Sequence, residues 1–194
     1  MVEAMDTGIG QVLRMLDQSG LADNTLVVFT NDNGGKRNLR NTPLFHGTHT
    51  LWEGGIRVPA ISRFPGRIKP GGLTKQVAAS MDFSATILAA AGIPVPGNLD
   101  GVDLIPVLSG AKPVMERTLC WRVKRESHSQ QAIRRGKSKY IRDSEDDLRF
   151  NLDTDPSERN NETYLRPEMV ADMRAAFAAW QRDLAKTPPP FTIA

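Results

Sequence analysis

Cysteine occurs once in the chain, at Cys120. A single thiol excludes an internal disulfide and any multi-cysteine zinc or iron–sulfur site. No apolar run approaches the ~20 residues needed to cross a bilayer. The first twenty positions carry Glu3, Asp6 and Asp17, so they read as neither a secretory leader nor an anchor. As written, the chain is expected in the cytoplasm and away from membranes. Three glycine-dependent motifs are also missing: the P-loop, the dinucleotide fingerprint and the Gly-x-Ser-x-Gly elbow. Aromatics are sparse, at 6%, and no repeat or heptad pattern runs through the 194 residues. What remains is a chain of ordinary globular composition, long enough to bury a core.

The pattern of apolar residues then gives an α/β reading. Val2, Met5, Ile9, Val12, Leu13 and Leu16 recur at helical spacing, with Gly20 as a stop. After the turn Asp23-Asn24-Thr25, the run Leu26–Thr30 reads as a strand buried on both faces. Residues 31–57 form a long polar, glycine-rich loop at the C-terminal end of that strand, where open α/β sheets place their ligands. Val58–Phe64 reads as a further strand, and Phe83–Ala91 as a helix ended by Gly92. Residues 93–118, rich in Pro and Gly, read as a surface connection. Beyond them, Leu119–Val123, Gln130–Arg134, Lys139–Asp143 and Leu148–Leu152 predict an antiparallel meander. Pro167 opens a final amphipathic helix, which Pro188-Pro189-Pro190 stops. Two parts result: an α/β part over residues 1–111, and a small α+β subdomain over 112–194.

Charge is unevenly spread. Lys112–Arg142 holds ten basic and two acidic residues, whereas Asp143 to the end holds six basic and eleven acidic. The two segments are expected to pair with each other. Single-stranded nucleic acid would call for aromatics interleaved with the cations, and these are absent, so nucleic acid is not expected as a partner.

Within the loop, Asp32 and Asn33 offer hard oxygen donors of the kind Ca²⁺ or Mg²⁺ takes, and Gly34-Gly35 permits the bend that would turn both toward one ion. The same five residues equally make an ordinary Asx-turn. His46 and His49 can donate to an anionic oxygen or serve as a general acid, or simply stand in solvent. Cys120, between Leu119 and Trp121, reads as an inert strand thiol. Asn161-Glu162-Thr163 reads as a chance glycosylation sequon.

Eight segments, in order, resemble the C-terminal half of a type I sulfatase of the alkaline phosphatase superfamily. They are Met5–Gly10, Val28–Gly34, Asn41–Leu44, Leu51–Pro59, Met81–Phe83 with Thr86–Gly92, Asp100–Leu104, Lys139–Arg142 and Asp153–Asn160. The resemblance implies a large mixed sheet flanked by helices and the hydrolysis of a sulfate ester. It also implies a bound Ca²⁺ held in part by Asp32 and Asn33, with Thr48, His49 and His46 facing the substrate. Thr48 stands seven residues after Asn41, where the family usually has a sulfate-binding Lys, and brings no charge, so His49 or Lys36 would have to substitute for it. The family's nucleophile is a formylglycine made in a Cys/Ser-x-Pro-x-Arg segment. That segment is absent, since Cys120 is followed by Trp121-Arg122-Val123. No catalytic residue is therefore assigned, no formylglycine is expected, and the chain alone is expected to be inactive.

Two other readings stay open: a phosphate or phosphonate ester hydrolase of the same superfamily, and a non-catalytic polyanion-binding module. A full-length parent would be periplasmic or secreted on the family pattern. A strand built for burial on both faces needs neighbours. The isolated chain is therefore expected to be marginally stable, to associate, or to need a partner half. A sharp, reversible, monomeric unfolding transition in sedimentation and calorimetry would contradict this.

Overall fold

The computed structural model describes residues 1–36, 39–125 and 128–186. Along the chain run α1 (Val2–Gln18), β1 (Val27–Thr30), α2 (Glu53–Ile56), β2 (Ala60–Arg63), α3 (Met81–Ala90) and α4 (Ile105–Leu108). Then come β3 (Thr118–Arg125), β4 (His128–Arg135), β5 (Ser138–Asp143), β6 (Asp146–Asn151) and α5 (Pro167–Lys186). They form two compact units. One comprises residues 1–32 and 59–115, the other 33–58 and 116–194. The loop after β1 thus groups with the C-terminal sheet. No helix among the described residues is long and apolar enough to cross a membrane.

In the first unit α1 ends as its glycine predicts. Gly20 sits at φ +67°, and the amides of Leu21 and Gly20 close onto the carbonyls of Leu16 and Asp17 at 3.0 and 3.1 Å. Gly92 ends α3 in the same way. β1 pairs antiparallel with β2, Val27 opposite Arg63 and Thr30 opposite Ala60. The sequence reading of β1 needs a correction here. All four of its residues are half-buried rather than enclosed, because its sheet has two strands. α1 is likewise uncovered: it buries no residue, and Val2, Met5, Val12 and Met15 are exposed.

The firm part of this unit is a polar staple. Asp82, fully buried at the start of α3, accepts the amides of Ala79 at 2.7 Å and Val102 at 2.9 Å. Thr86, one turn on, donates to the Asp82 carbonyl at 2.7 Å and accepts the Leu104 amide at 3.0 Å. A side chain on Gly101 would run into the Met81 carbonyl, which explains the glycine. The 93–118 connection is therefore pinned at Val102 and Leu104 before it turns into α4.

In the second unit the meander forms as read, in the order β3-β4-β5-β6 with every pair antiparallel. Its two faces follow residue parity. Ala132, Ile141 and Phe150 bury against Leu51, Trp52 and Leu152, whereas Ile133 and Tyr140 bury against Val170, Met173 and Phe177 of α5. The sheet is therefore covered on one side by the 33–58 segment and on the other by the last helix.

After β6 the chain turns around Asp155, whose carboxylate accepts the amides of Arg159 and Asn160 at 2.8 Å each and the Ser157 hydroxyl at 3.1 Å. Burial works to raise this carboxyl, but the amides of Asn160 and Arg159 and the Ser157 hydroxyl together outweigh it and hold it below its ordinary 3.8. A carboxyl depressed in the folded state stabilises above its ordinary value, and that contribution fades as pH falls through the folded one. Asp155→Asn should therefore cost ~1–3 kcal/mol at neutral pH, with the gap from the parent chain closing below about pH 3.8. All three tryptophans, Trp52, Trp121 and Trp180, lie in this unit. Their fluorescence during urea unfolding at several pH values checks this, and a gap that stays constant into acid would refute it.

Candidate functional site

Residues 33–58 are folded by glycine contacts that no other residue permits. The Gly34 amide donates to the Gly55 carbonyl at 2.9 Å, and a side chain on Gly34 would fall on the carbonyl of Gly54. Gly54 and Gly55 would in turn drive a Cβ into the carbonyls of Phe45 and Thr50. Asn41 ties the middle of the loop, its amide nitrogen donating to the carbonyls of Gly35 and His46 at 3.0 Å each while its oxygen accepts the Gly35 amide at 3.1 Å.

Asp32 and Asn33 are both exposed, directly after β1. The Asn33 side-chain nitrogen donates to the Gly34 carbonyl at 3.0 Å and reaches the Thr48 hydroxyl at 3.5 Å, which fixes the direction of the amide. Thr48 donates its hydroxyl proton to that same Gly34 carbonyl, and its amide donates to Gly35 at 3.0 Å. A threonine has one such proton. Any hydrogen bond from Thr48 to a bound anion would therefore require breaking the bond to Gly34. His46 and His49 are exposed, and both adopt left-handed backbone, at φ +58° and +74°. Such angles outside glycine are uncommon and store of order 1 kcal/mol. The His46 ring stands edge-on to Phe45 at 4.2 Å and lies 5.6 Å from Trp52. Of the residues read from the sequence, Asn33 and Thr48 are directly joined, and His46 is tied to them through Asn41.

Several residues not singled out for chemistry hold this loop to the sheet. The Leu51 amide donates to Gln130 at 2.7 Å, and the Trp52 indole nitrogen donates to Asp143 at 3.0 Å. Glu53, with 1% of its surface exposed, receives Lys139 Nζ at 2.9 Å and Arg134 at 3.5 Å, and its own amide donates to Glu158 at 2.6 Å. Lys139, fully buried, also pairs with Glu158 at 2.8 Å. Burial pushes the Glu158 carboxyl up, with Lys139 drawing it back. A signal for this was available, because Lys139 shares the inward parity of Ile141 on β5, where a charge is out of place unless paired.

The basic and acidic segments do pair, through Lys139–Glu158 and through Arg135–Asp172 at 2.7 Å. Cys120 is half-buried in β3, and burial pushes its thiol up to about 11, which keeps it protonated and poorly nucleophilic. Asn161 accepts the amides of Arg149 and Thr163 and the Thr163 hydroxyl, so its side chain closes a turn.

Among the described residues no group of three or more His, Cys, Asp or Glu is arranged to hold a metal ion. The donor types at Asp32 and Asn33 suit a hard cation, but they supply only two of the ~6–8 oxygens that Ca²⁺ takes. The loop's glycines are the sharpest test of this packing. Gly54→Ala should destabilise the second unit by ~1–3 kcal/mol through forced backbone displacement. Gly8→Ala, on α1 with open space around its Cβ, should be neutral or gain up to ~1 kcal/mol. Urea titration followed by tryptophan fluorescence and circular dichroism measures both, and equal effects at the two sites would refute the packing argument.

Comparison with known proteins shows what this region is similar to. Residues 1–93 match the family model described as Sulfatase. A steryl-sulfatase from Rattus norvegicus is 42% identical over 121 residues, which covers 56% of this chain and 21% of that protein. An N-acetylgalactosamine-6-sulfatase from Canis lupus familiaris is 36% identical over 119 residues, 57% of this chain and 23% of that protein. Among solved structures, that of Ps i-CgsB in complex with k-i-k-neocarrahexaose overlays with a TM-score of 0.86 at 30% identity. The overlay covers 93% of this chain and 41% of that one. The matched region thus spans about a fifth of the curated relatives' length and about two fifths of the solved structure's. By these likenesses residues 1–93 are similar to the sulfatases, and the chain has the α/β alkaline phosphatase-like fold of its structural neighbours.

Proposed function

We propose that this chain forms part of a sulfate ester hydrolase, contributing two oxygen ligands to a cation site beside the sulfate. The observation that carries the reading is the exposure of Asp32 and Asn33 at the end of β1, with the Asn33 amide nitrogen turned onto Gly34. Asp32 supplies a carboxylate oxygen and Asn33 an amide oxygen. A Ca²⁺ ion, when bound, neutralises charge on the sulfate oxygens as the ester bond breaks. Thr48 acts here by setting the Asn33 amide, and His46 and His49 are the side chains of this loop that donate toward the anion. The substrate class is a sulfate ester, and its organic part is left open by relatives named for steryl and for N-acetylgalactosamine-6 sulfates.

Two parts of the machinery have no residues in this sequence: a Cys/Ser-x-Pro-x-Arg segment and the remaining carboxylate ligands. On this reading the chain alone does not turn over substrate. The exposed apolar face of α1 receives polypeptide equivalent to the part of the solved relative outside the overlay, which is more than half of that chain.

Calorimetric titration with CaCl₂ tests the ligand assignment. The chain alone should bind weakly, in the ~10⁻⁴–10⁻³ M range of sites short of ligands, and Asp32→Ala with Asn33→Ala should abolish the heat. Identical titrations of parent and variant would sink the assignment. Co-expression with a polypeptide carrying the Cys/Ser-x-Pro-x-Arg segment should give arylsulfate hydrolysis that the chain alone lacks. Turnover by the chain alone would overturn the proposed inactivity.

A further inference from the structure

Lys139 lies in the C-terminal sheet, more than a hundred residues along the chain from Asn33, yet a continuous set of bonds within the second unit joins them. Lys139 Nζ holds Glu53 at 2.9 Å and Glu158 at 2.8 Å. Glu158 also accepts the Glu53 amide at 2.6 Å, the first amide of α2, so both the side chain and the backbone of Glu53 are fixed from the sheet. Two residues on, the Gly55 carbonyl accepts the Gly34 amide at 2.9 Å, and the Gly54 amide donates to Phe45 at 2.9 Å. The Gly34 carbonyl is then the shared acceptor of the Asn33 amide nitrogen and the Thr48 hydroxyl. Lys139, Glu53, Gly34, Gly54 and Gly55 are all buried, so water offers no alternative partner along this path.

We infer that Lys139 is a positioning residue: through Glu53, Glu158 and the Gly55–Gly34 bond it sets the direction of the Asn33 side-chain amide. The inference rests on the proposed role of Asn33 only for its functional meaning, since the mechanical link stands on the bonds just given. Lys139 touches neither cation nor substrate. Removing its charge leaves Glu158 without the cation it shares with Glu53, and leaves Glu53 with only the longer pairs to Arg134 at 3.5 Å and Arg57 at 3.8 Å, so the segment that can move away is the short α2 with the loop behind it. The sheet keeps its own ladder of hydrogen bonds.

Hydrogen exchange by NMR on the full chain reads this directly. In Lys139→Met, amide exchange at Gly34, Thr48 and Gly54 should speed up about tenfold or more relative to amides across β4 and β5, and the Asn33 side-chain amide signals should shift. Uniform acceleration would show a merely structural role and overturn the inference, as would unchanged exchange. If Lys139→Met does not fold, Glu158→Gln removes one charge while keeping an acceptor for the Glu53 amide. It should give the same selective pattern in smaller measure, and a uniform or absent change overturns the inference there as well. The neutral combination Lys139→Met, Glu53→Gln and Glu158→Gln should recover folding without recovering the Asn33 signals, and recovery of both counts against the inference. Calcium titration of the same variants separates the two ideas. Selective loosening with a parent chain that binds no calcium keeps Lys139 as the positioning residue and removes Asn33 as a ligand.

Discussion

The second unit depends on a lysine ammonium enclosed between two carboxylates. Moving three charges out of water costs several kcal/mol each, and a buried pair repays this only when geometry and further hydrogen bonds are good. Here they are. Lys139 lies within 2.9 Å of an oxygen on each of Glu53 and Glu158, Glu158 takes a backbone amide as well, and Arg134 sits 3.5 Å from Glu53. Burial lowers the pKa of Arg134, opposed by Glu53, so the cluster operates where water screens poorly. Such a cluster adds little to stability over a well-packed apolar alternative, but breaking one member is expensive. Its worth is in specificity. Glu53 comes from the loop after β1, Lys139 from β5 and Glu158 from the turn after β6, so no other pairing of these three segments satisfies all three charges.

The surrounding parts are arranged to make that geometry available. Asp155 gathers three donors into a turn that delivers Glu158 with a left-handed backbone, at φ +55°. Trp52, next to Glu53, packs on Phe150 at 5.5 Å and on Phe45 at 4.9 Å, and its indole nitrogen is taken by Asp143. The apolar cluster sets the depth of the loop over the sheet and the ion cluster sets its register. The first unit has no equivalent. Its fully buried apolar residues are few, Phe64, Ala85, Leu104 and Val107, and it is the buried Asp82 that organises them.

These differences explain which features could be read from sequence. The meander, the final helix and both glycine helix stops were legible because parity, helical periodicity and left-handed glycine are local rules. The burial of β1 was not, because Leu26–Thr30 carries the apolar composition of an enclosed strand while its sheet here has two strands. Residues 31–57 read as a long polar, glycine-rich loop for a similar reason. Gly34, Gly47, Gly54 and Gly55 look like freedom in a sequence, whereas in the fold each is a place where backbone meets backbone. The ion cluster was half-legible. Lys139 stood at an inward position among apolar neighbours, but its partners lie 86 residues before it and in a turn beyond β6, which no local pattern links.

Most of the residues that carry the family likeness therefore prove architectural. Trp52, Glu53, Gly54 and Gly55 clasp the loop, Asp82 and Gly101 pin the connection before α4, and Lys139 with Asp153–Asn160 lock the sheet to the loop. Of the site residues read from the sequence, Asp32, Asn33, His46 and His49 are exposed on the loop. Thr48 belongs with the architecture, because its one hydroxyl proton already serves Gly34. Where the family pattern has a lysine, this loop has spent the position on its own packing. Under the proposed function, position 48 would bring no positive charge to a bound sulfate, since a neutral hydroxyl already engaged cannot substitute for a fixed charge, and the cation proposed at Asp32 and Asn33 would supply it instead.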